Sequence, residues 1–429
     1  MRLIPVVFLL YTIAYFDRVN IGMALPSISK DLGLSPSQAG LAAGIFFWGY
    51  LISFLAAGWF VPRLGAKRTI LTCLLVWGLI AMSTGFATDF RALLVMRFLL
   101  GLAEGPVWTS VALLLSQWFL RTERGRAFGF WNLSIPFGAL LSGPISGLIL
   151  TYASWHTMFV LEGLPAWIWA LVWWRAIPAD LDAASSWLPA TERQRLESGL
   201  AAEQAVFAAS HTPTDWRGGL RQPAVWLLVG AFSLANMVAY GFGLWLPTAI
   251  KTASALNIGS VGMLNAMPYV ASILGVVLIT RSSDHRKERR FHAGIPMILI
   301  GVLLFVGSHV GPHLVILQMV IFTLIGFFMF MTLPLISTLI TELFPRNLAI
   351  FVIAFTGGIG NLFGGFVGPF LVGLLNQMTG DFSLAFSLLG AFGLVGGLLI
   401  MAVRPVRAAA GDRVIRTDMA EPAAIQRVQ

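Results

Sequence analysis

The chain has 429 residues, of which 57% are hydrophobic and only 11% charged. A soluble domain carries about 25% charged residues, and a fold of this size could not cover its surface with fewer than half that share. The apolar residues fall in blocks of roughly 20, the length that crosses a ~30 Å hydrocarbon core at 1.5 Å per helical residue. The fold class is therefore an all-α polytopic membrane protein.

Twelve blocks are expected to span, at about residues 3–24, 38–61, 69–87, 91–118, 126–150, 157–176, 223–250, 259–281, 292–309, 313–341, 349–376 and 382–404. The first block lacks an A-x-A exit and is expected to remain a span rather than leave as a cleaved signal. Residues 177–222 form the long polar segment, with Pro178, Pro189, Pro213 and a short amphipathic helix that Thr191 and Gln194 could open as a capping box. The expected organisation is two six-helix halves, 1–176 and 223–404, a cytoplasmic linker at 177–222 and a cytoplasmic tail at 405–429. A shift of 225 residues maps Phe119 onto Phe344, Arg121 onto Arg346, and Gly143-Pro144 onto Gly368-Pro369. That coincidence marks a parallel repeat, one of the recognised transporter architectures.

Charge gives the sides. One set of loops carries Arg63, Lys67, Arg68, Arg121, Arg124, Arg126, Arg281, Arg286, Lys287, Arg289, Arg290 and Arg346, followed by Arg404, Arg407, Arg413 and Arg416. The opposite loops hold only Lys30, Arg91 and Lys251. The positive-inside rule places both termini and the linker in the cytoplasm, and it accounts for the net charge of +9 without nucleic acid. The single cysteine, Cys73, excludes a disulfide framework, and the six histidines show no metal-ligand spacing. No G-x-S-x-G, HExxH or Walker A stretch points to an enzyme. No cofactor is expected. The expected partner at this point is the lipid bilayer, with the protein acting as a monomer.

Four charges lie deep in the spans, where each costs roughly 2.5–3.5 kcal/mol on insertion scales. They are Asp17 and Arg18 in the first span, and Arg97 and Glu104 in the fourth. Asp17 falls about 21 Å from the cytoplasmic face. Arg97 and Glu104 fall about 8 Å and about 18 Å below the outer face. Seven residues apart, these two share a helix face, yet ~10 Å along the axis is too far for a tight pair. One reading is a static ion-pair network stapling two helices. The other is a proton relay with an anion clamp, with Asp17 facing helix 4 and Arg18, about 100° around its helix, facing the centre. A planar guanidinium suits a carboxylate substrate. Tyr15, Tyr50, Asn132, Tyr240, Thr332 and Asn361 are polar groups within spans, each able to meet a substrate or a neighbouring helix. Glu162 reads as a structural partner at an interface.

Several stretches resemble the anion:cation symporter family of the major facilitator superfamily. Tyr15-Phe16-Asp17-Arg18-Val19-Asn20-Ile21 is similar to its helix 1 signature, and Arg97-Phe98-Leu99-Leu100-Gly101-Leu102-Ala103-Glu104 to helix 4. Phe159-Val160-Leu161-Glu162-Gly163-Leu164-Pro165 resembles helix 6, Trp245-Leu246-Pro247-Thr248 helix 7, and Gly360-Asn361-Leu362 with Gly368-Pro369 helix 11. The resemblance implies the major facilitator fold in a bacterial inner membrane and proton-coupled symport of a small organic carboxylate. It implies proton coupling at Asp17 and Glu104 with Arg97 regulating, and substrate contacts at Arg18, Tyr15, Tyr50, Asn361, Thr332 and Asn132. Trp187-Leu188-Pro189-Ala190-Thr191-Glu192 leans toward the tartrate and aromatic-acid branch. Helix 5, reading Trp131-Asn132-Leu133-Ser134-Ile135-Pro136, lacks the glutamine of sugar-acid members. In the superfamily's loop motif, Gly58 to Arg68, Pro62 replaces the aspartate, while the second copy keeps Asp284. The alternatives are an exporter of organic anions or drugs on the same fold, and a membrane ligand sensor.

Overall fold

A computed structural model describes residues 3–178, 189–209, 216–254, 256–310 and 314–403. Twelve helical segments within them are long and apolar enough to cross a bilayer. Spans 1 to 6 are Leu3–Leu32, Pro36–Leu64, Ala66–Thr84, Phe90–Trp118, Arg121–Tyr152 and Trp155–Ala176. Spans 7 to 12 are Pro223–Ala253, Ile258–Arg286, Arg290–Ser308, Val315–Leu343, Leu348–Thr379 and Ser383–Ala402. The stretch around Trp187-Leu188 and the tail at 405–429 lie outside the described residues.

Number and order agree with the sequence reading, but several spans run longer at their ends. Caps, not the edge of the apolar run, decide where each helix stops. Gly33, with φ 63°, turns span 1 off in the left-handed region that costs glycine least. Ser35 then opens span 2 through a capping box: its hydroxyl accepts from the Gln38 N–H at 3.3 Å, and the Gln38 side chain accepts from the Ser35 N–H at 2.9 Å. The linker differs from expectation as well. Its helix is Ala190–Ala209, and the Glu192 and Arg193 N–H groups both bond the Pro189 carbonyl at 3.0 Å. Thr191 therefore sits inside the first turn rather than capping it. The helix docks where span 4 meets span 5: Glu203 accepts from the Arg121 N–H at 2.7 Å and from the Arg124 guanidinium at 3.2 Å.

The 225-residue repeat has a local structural counterpart. Phe119 and Phe344 both end their helices in extended backbone, φ −134° and −118°, each N–H donating to the carbonyl four residues earlier at 3.1 Å. The Gly-Pro pairs mediate contact between spans 1–6 and spans 7–12. Span 5 meets span 8 where Gly143 abuts Gly262, and span 2 meets span 11 where Gly40 abuts Pro369. A Cβ at any of these glycines would run into opposing backbone, so only glycine permits the approach. Span 11 also carries a π turn, Phe363–Val367, just before Gly368-Pro369. Proline offers no N–H to the turn above, and the helix there widens.

These close approaches all lie toward the arginine-poor end of the bundle. Toward the arginine-rich end, a Cβ at Gly129 of span 5 or Gly357 of span 11 would meet nothing within 4 Å. The closest backbone approaches between the two sets of six spans thus lie toward the arginine-poor end, and further along span 11 a Cβ at Gly358 would meet only the side-chain ends of Leu51 and Phe54 of span 2, at 3.5 and 3.8 Å.

Candidate functional site

Span 1 is not one continuous helix. It runs from Leu3 to Val19 and resumes at Ile21. At Asn20 the Met23 N–H bonds the carbonyl three residues back, at 3.0 Å, instead of four. The carbonyls of Asp17 and Arg18 stand just before the interruption. Arg97, fully buried in span 4, donates to both, reaching the Arg18 carbonyl at 3.2 Å and the Asp17 carbonyl at 3.5 Å. Its guanidinium carbon also lies 5.3 Å from the centre of the Phe46 ring. Among the described residues, no carboxylate pairs with Arg97.

Arg18 faces the centre as expected, toward Tyr15 and Tyr50, but Asp17 does not face span 4. Arg18, not Asp17, also reaches span 4, where its guanidinium meets the Glu104 carboxylate at 3.2 Å. Asp17 faces span 3 and accepts the Trp77 indole N–H at 2.8 Å. Helical periodicity gives the angle between the two residues correctly, but the absolute direction depends on how the broken span is rotated among its neighbours. All four charged residues are buried. One oxygen each of Asp17 and Glu104 has no hydrogen-bond partner.

Aromatic rings enclose the Arg18–Glu104 pair. The guanidinium carbon stands 4.8 Å from the Tyr50 ring centre, 5.2 Å from Phe46 and 5.5 Å from Tyr15. The second set of spans completes the wall: Tyr240 of span 7 packs on Phe47 at 4.6 Å, and Phe330 of span 10 edges onto Tyr15 at 6.3 Å. Tyr11, which the sequence reading left out, interacts with both Arg18 and Tyr50. The cluster therefore lies where the two sets of spans meet, and a small anion there could meet a guanidinium, phenol hydroxyls and aromatic faces.

Three expected contacts are otherwise engaged. Thr332 is fully buried and donates to the Ala293 carbonyl in span 9 at 3.3 Å, away from the cluster. Asn132 and Asn361 are half-buried, and each amide donates to a carbonyl on its own helix, Phe128 at 2.9 Å and Gly357 at 2.8 Å. Among the described residues no three metal-ligating side chains converge. Trp77 escaped the sequence reading because an indole in an apolar run looks like packing. The Asn20 amide donates to the Glu162 carboxyl at 2.8 Å; the sequence reading took Glu162 as a structural partner at an interface but did not single out Asn20.

The loop motif differs between its two copies. In the first, Pro62 lies within the helix, and Arg63 turns back to the Trp59 carbonyl of its own span. In the second, Arg289 bridges Asp284 at 2.6 Å and Glu342 at 3.0 Å, tying the span 8–9 loop to the end of span 10.

Residues 7–366 match the family model of the Major Facilitator Superfamily. The chain is 30% identical over 408 residues to a quinolone resistance transporter of Acinetobacter baumannii, covering 94% of this chain and 93% of that one. It is 27% identical over 416 residues to the hexuronate transporter of Bacillus subtilis, covering 94% of each. The inward open xylose transporter of Escherichia coli shares the fold with a TM-score of 0.76 at 14% identity, over 97% of this chain and 99% of that one.

Proposed function

The chain belongs to the Major Facilitator Superfamily, whose members are transporters rather than enzymes, and from that premise we propose that it carries a small organic carboxylate together with protons. The observation that carries the reading is the buried Arg18–Glu104 pair at the meeting of the two sets of spans, with Asp17 adjacent in sequence to Arg18. An arginine held by one internal carboxylate can exchange that partner for a substrate carboxylate once the internal one takes a proton. Protonation of Glu104 and binding of the anion at Arg18 are then one event, which is symport. Asp17, which forms no ion pair among the described residues and accepts the Trp77 indole N–H, is the second proton site. Tyr11, Tyr15, Tyr50 and Tyr240 supply the aromatic and hydroxyl lining. Similarity to a hexuronate transporter supports an organic acid as cargo.

The arginine bias of the loops puts the arginine-rich end in the cytoplasm of a bacterial inner membrane, with both termini and the linker on that side. The conformation is then inward-facing, as in the inward open xylose transporter, and the glycine contacts of spans 5 with 8 and 2 with 11 form the closed outer gate. Alternating access is the rocking of the two six-helix halves about the site. The similarity to a quinolone resistance transporter supports a second reading, export of an organic anion or drug through the same site. Symport is reversible, and the gradients set its direction.

The test uses the full-length protein in liposomes with a trapped pH dye. Tartrate, phthalate, aromatic acids and sugar acids are added outside one at a time, and lumenal acidification with one of them names the cargo class. Glu104→Gln should abolish accumulation against a gradient while measurable exchange persists. Accumulation by that variant would refute the assignment.

A further inference from the structure

Glu162 plays no part in the cycle above, yet its surroundings are built for a purpose. It stands seven residues into span 6, about 10 Å from the arginine-poor end at 1.5 Å per residue, and is 3% exposed. One carboxyl oxygen accepts the Asn20 amide at 2.8 Å, and the other accepts the Ser146 hydroxyl at 2.7 Å. Both donors are neutral. Among the described residues no lysine, arginine or histidine forms an ion pair with it, and the neighbouring turn of span 6 packs through Gly163 on Gly78 and Met82 of span 3, which carry no charge. Asp17 is the ionisable group close enough to feel it. A carboxyl so placed, with two hydrogen bonds and no counter-charge, is held in the membrane most cheaply as the acid.

Its position matters as much as its burial. Asn20 is the residue at which span 1 breaks, three positions beyond Asp17. The Asn20 side-chain oxygen and one oxygen of Asp17 are both buried without a hydrogen-bond partner. Span 6 thus brings an acid to the outer flank of the break, and span 1 presents two vacant acceptors in sequence behind it.

We propose that Glu162 is a proton-staging carboxyl, loaded from the arginine-poor side, that supplies Asp17 through water passing beside Asn20, whose amide NH2 holds the Glu162 carboxyl and takes no proton itself. The proton leaves the Glu162 carboxyl and ends on the vacant Asp17 oxygen, and the Glu162 carboxylate left behind keeps its two hydrogen bonds until it is reprotonated from the outer water. The relay rests on the proton-coupled reading of the site, and its test separates the two.

Glu162→Gln preserves the shape and one acceptor oxygen, and presents an NH2 at the other position. In liposomes, it should slow pH-driven uptake at least tenfold while substrate counterflow stays within about twofold of wild type. Infrared difference spectra should show the carbonyl stretch of a protonated carboxyl in wild type and its loss in the variant. Undiminished pH-driven uptake by Glu162→Gln, or an equal loss of uptake and counterflow, would leave Glu162 as a bracket among spans 1, 5 and 6 and overturn the proposal. If wild type itself shows no pH-driven uptake, the coupled reading fails first and the relay with it. Should Glu162→Gln fail to insert, Ser146→Ala keeps the carboxyl and removes one donor. The protonated-carboxyl band must then move, and its absence refutes the staging acid.

Discussion

Arg97 separates two roles that one side chain usually confounds, a charge opposite Asp17 and a donor to the broken span 1. The geometry favours the donor. Arg97→Lys keeps the charge but replaces a planar fork with a compact ammonium that cannot serve two carbonyls in the same way. The bond to the Arg18 carbonyl, at 3.2 Å, is charge-assisted and contributes about 1.5–3 kcal/mol. The one to Asp17, at 3.5 Å, lies at the edge of the geometric range and adds little. Loss of the planar contact with Phe46 costs about 0.5–1 kcal/mol more. The expected destabilisation is therefore about 2–4 kcal/mol. Cys73 provides the assay. It is the single cysteine of the chain and buried in span 3, so a thiol-reactive fluorogenic dye reports thermal opening of this region in detergent. Arg97→Lys should melt well below wild type, and Arg97→Gln, which loses the charge-assisted bond and the ring contact together with the fork, should melt at least as far below it. A lysine variant that melts like wild type beside a glutamine variant that collapses would show that charge alone matters, and would refute the reasoning.

Other perturbations reach the gate and the loop. Gly262→Ala drives a methyl into the Gly143 backbone and should force the arginine-poor ends of spans 5 and 8 apart, so a reporter cysteine at Tyr240 in a Cys73→Ser background should label faster from that side; unchanged labelling would deny the gate. In the span 8–9 loop, burial acts to raise the Glu288 carboxyl, but hydrogen bonds from the His292 ring and the Phe291 and His292 N–H groups outweigh it and hold the group below its usual range. Its contribution is complete above the unfolded value of 4.5 and is lost as pH falls through the lower folded value. Amide-exchange protection at Phe291 and His292 should therefore drop on acidification, and Glu288→Gln should remove that dependence.

The twelve spans were legible because a bilayer demands about 20 apolar residues per crossing, a constraint that acts on each segment alone. The Gly-Pro pairs were legible for a similar reason, since small residues and a missing N–H have the same local meaning wherever they occur. The ends were less so: Gly33 and Ser35 set them through backbone geometry that apolar content does not record. The π turn at Phe363–Val367 likewise needed the packed helix to declare itself.

For the site, the sequence by itself determined which residues bear charge inside the membrane, their depth, and the angle between neighbours on one helix. Burial cost makes such residues stand out singly, and the helical repeat orders them. Which side chains meet was decided only by the tertiary structure. Arg18 pairs with Glu104, Asp17 with Trp77, Arg97 with main-chain carbonyls, and Glu162 with Asn20 and Ser146. Thr332 is drawn off to span 9. These partners come from different helices, and their meeting depends on the rotation and break of span 1 among spans 3, 4, 5 and 6. Periodicity along one helix carries no information about what stands opposite it.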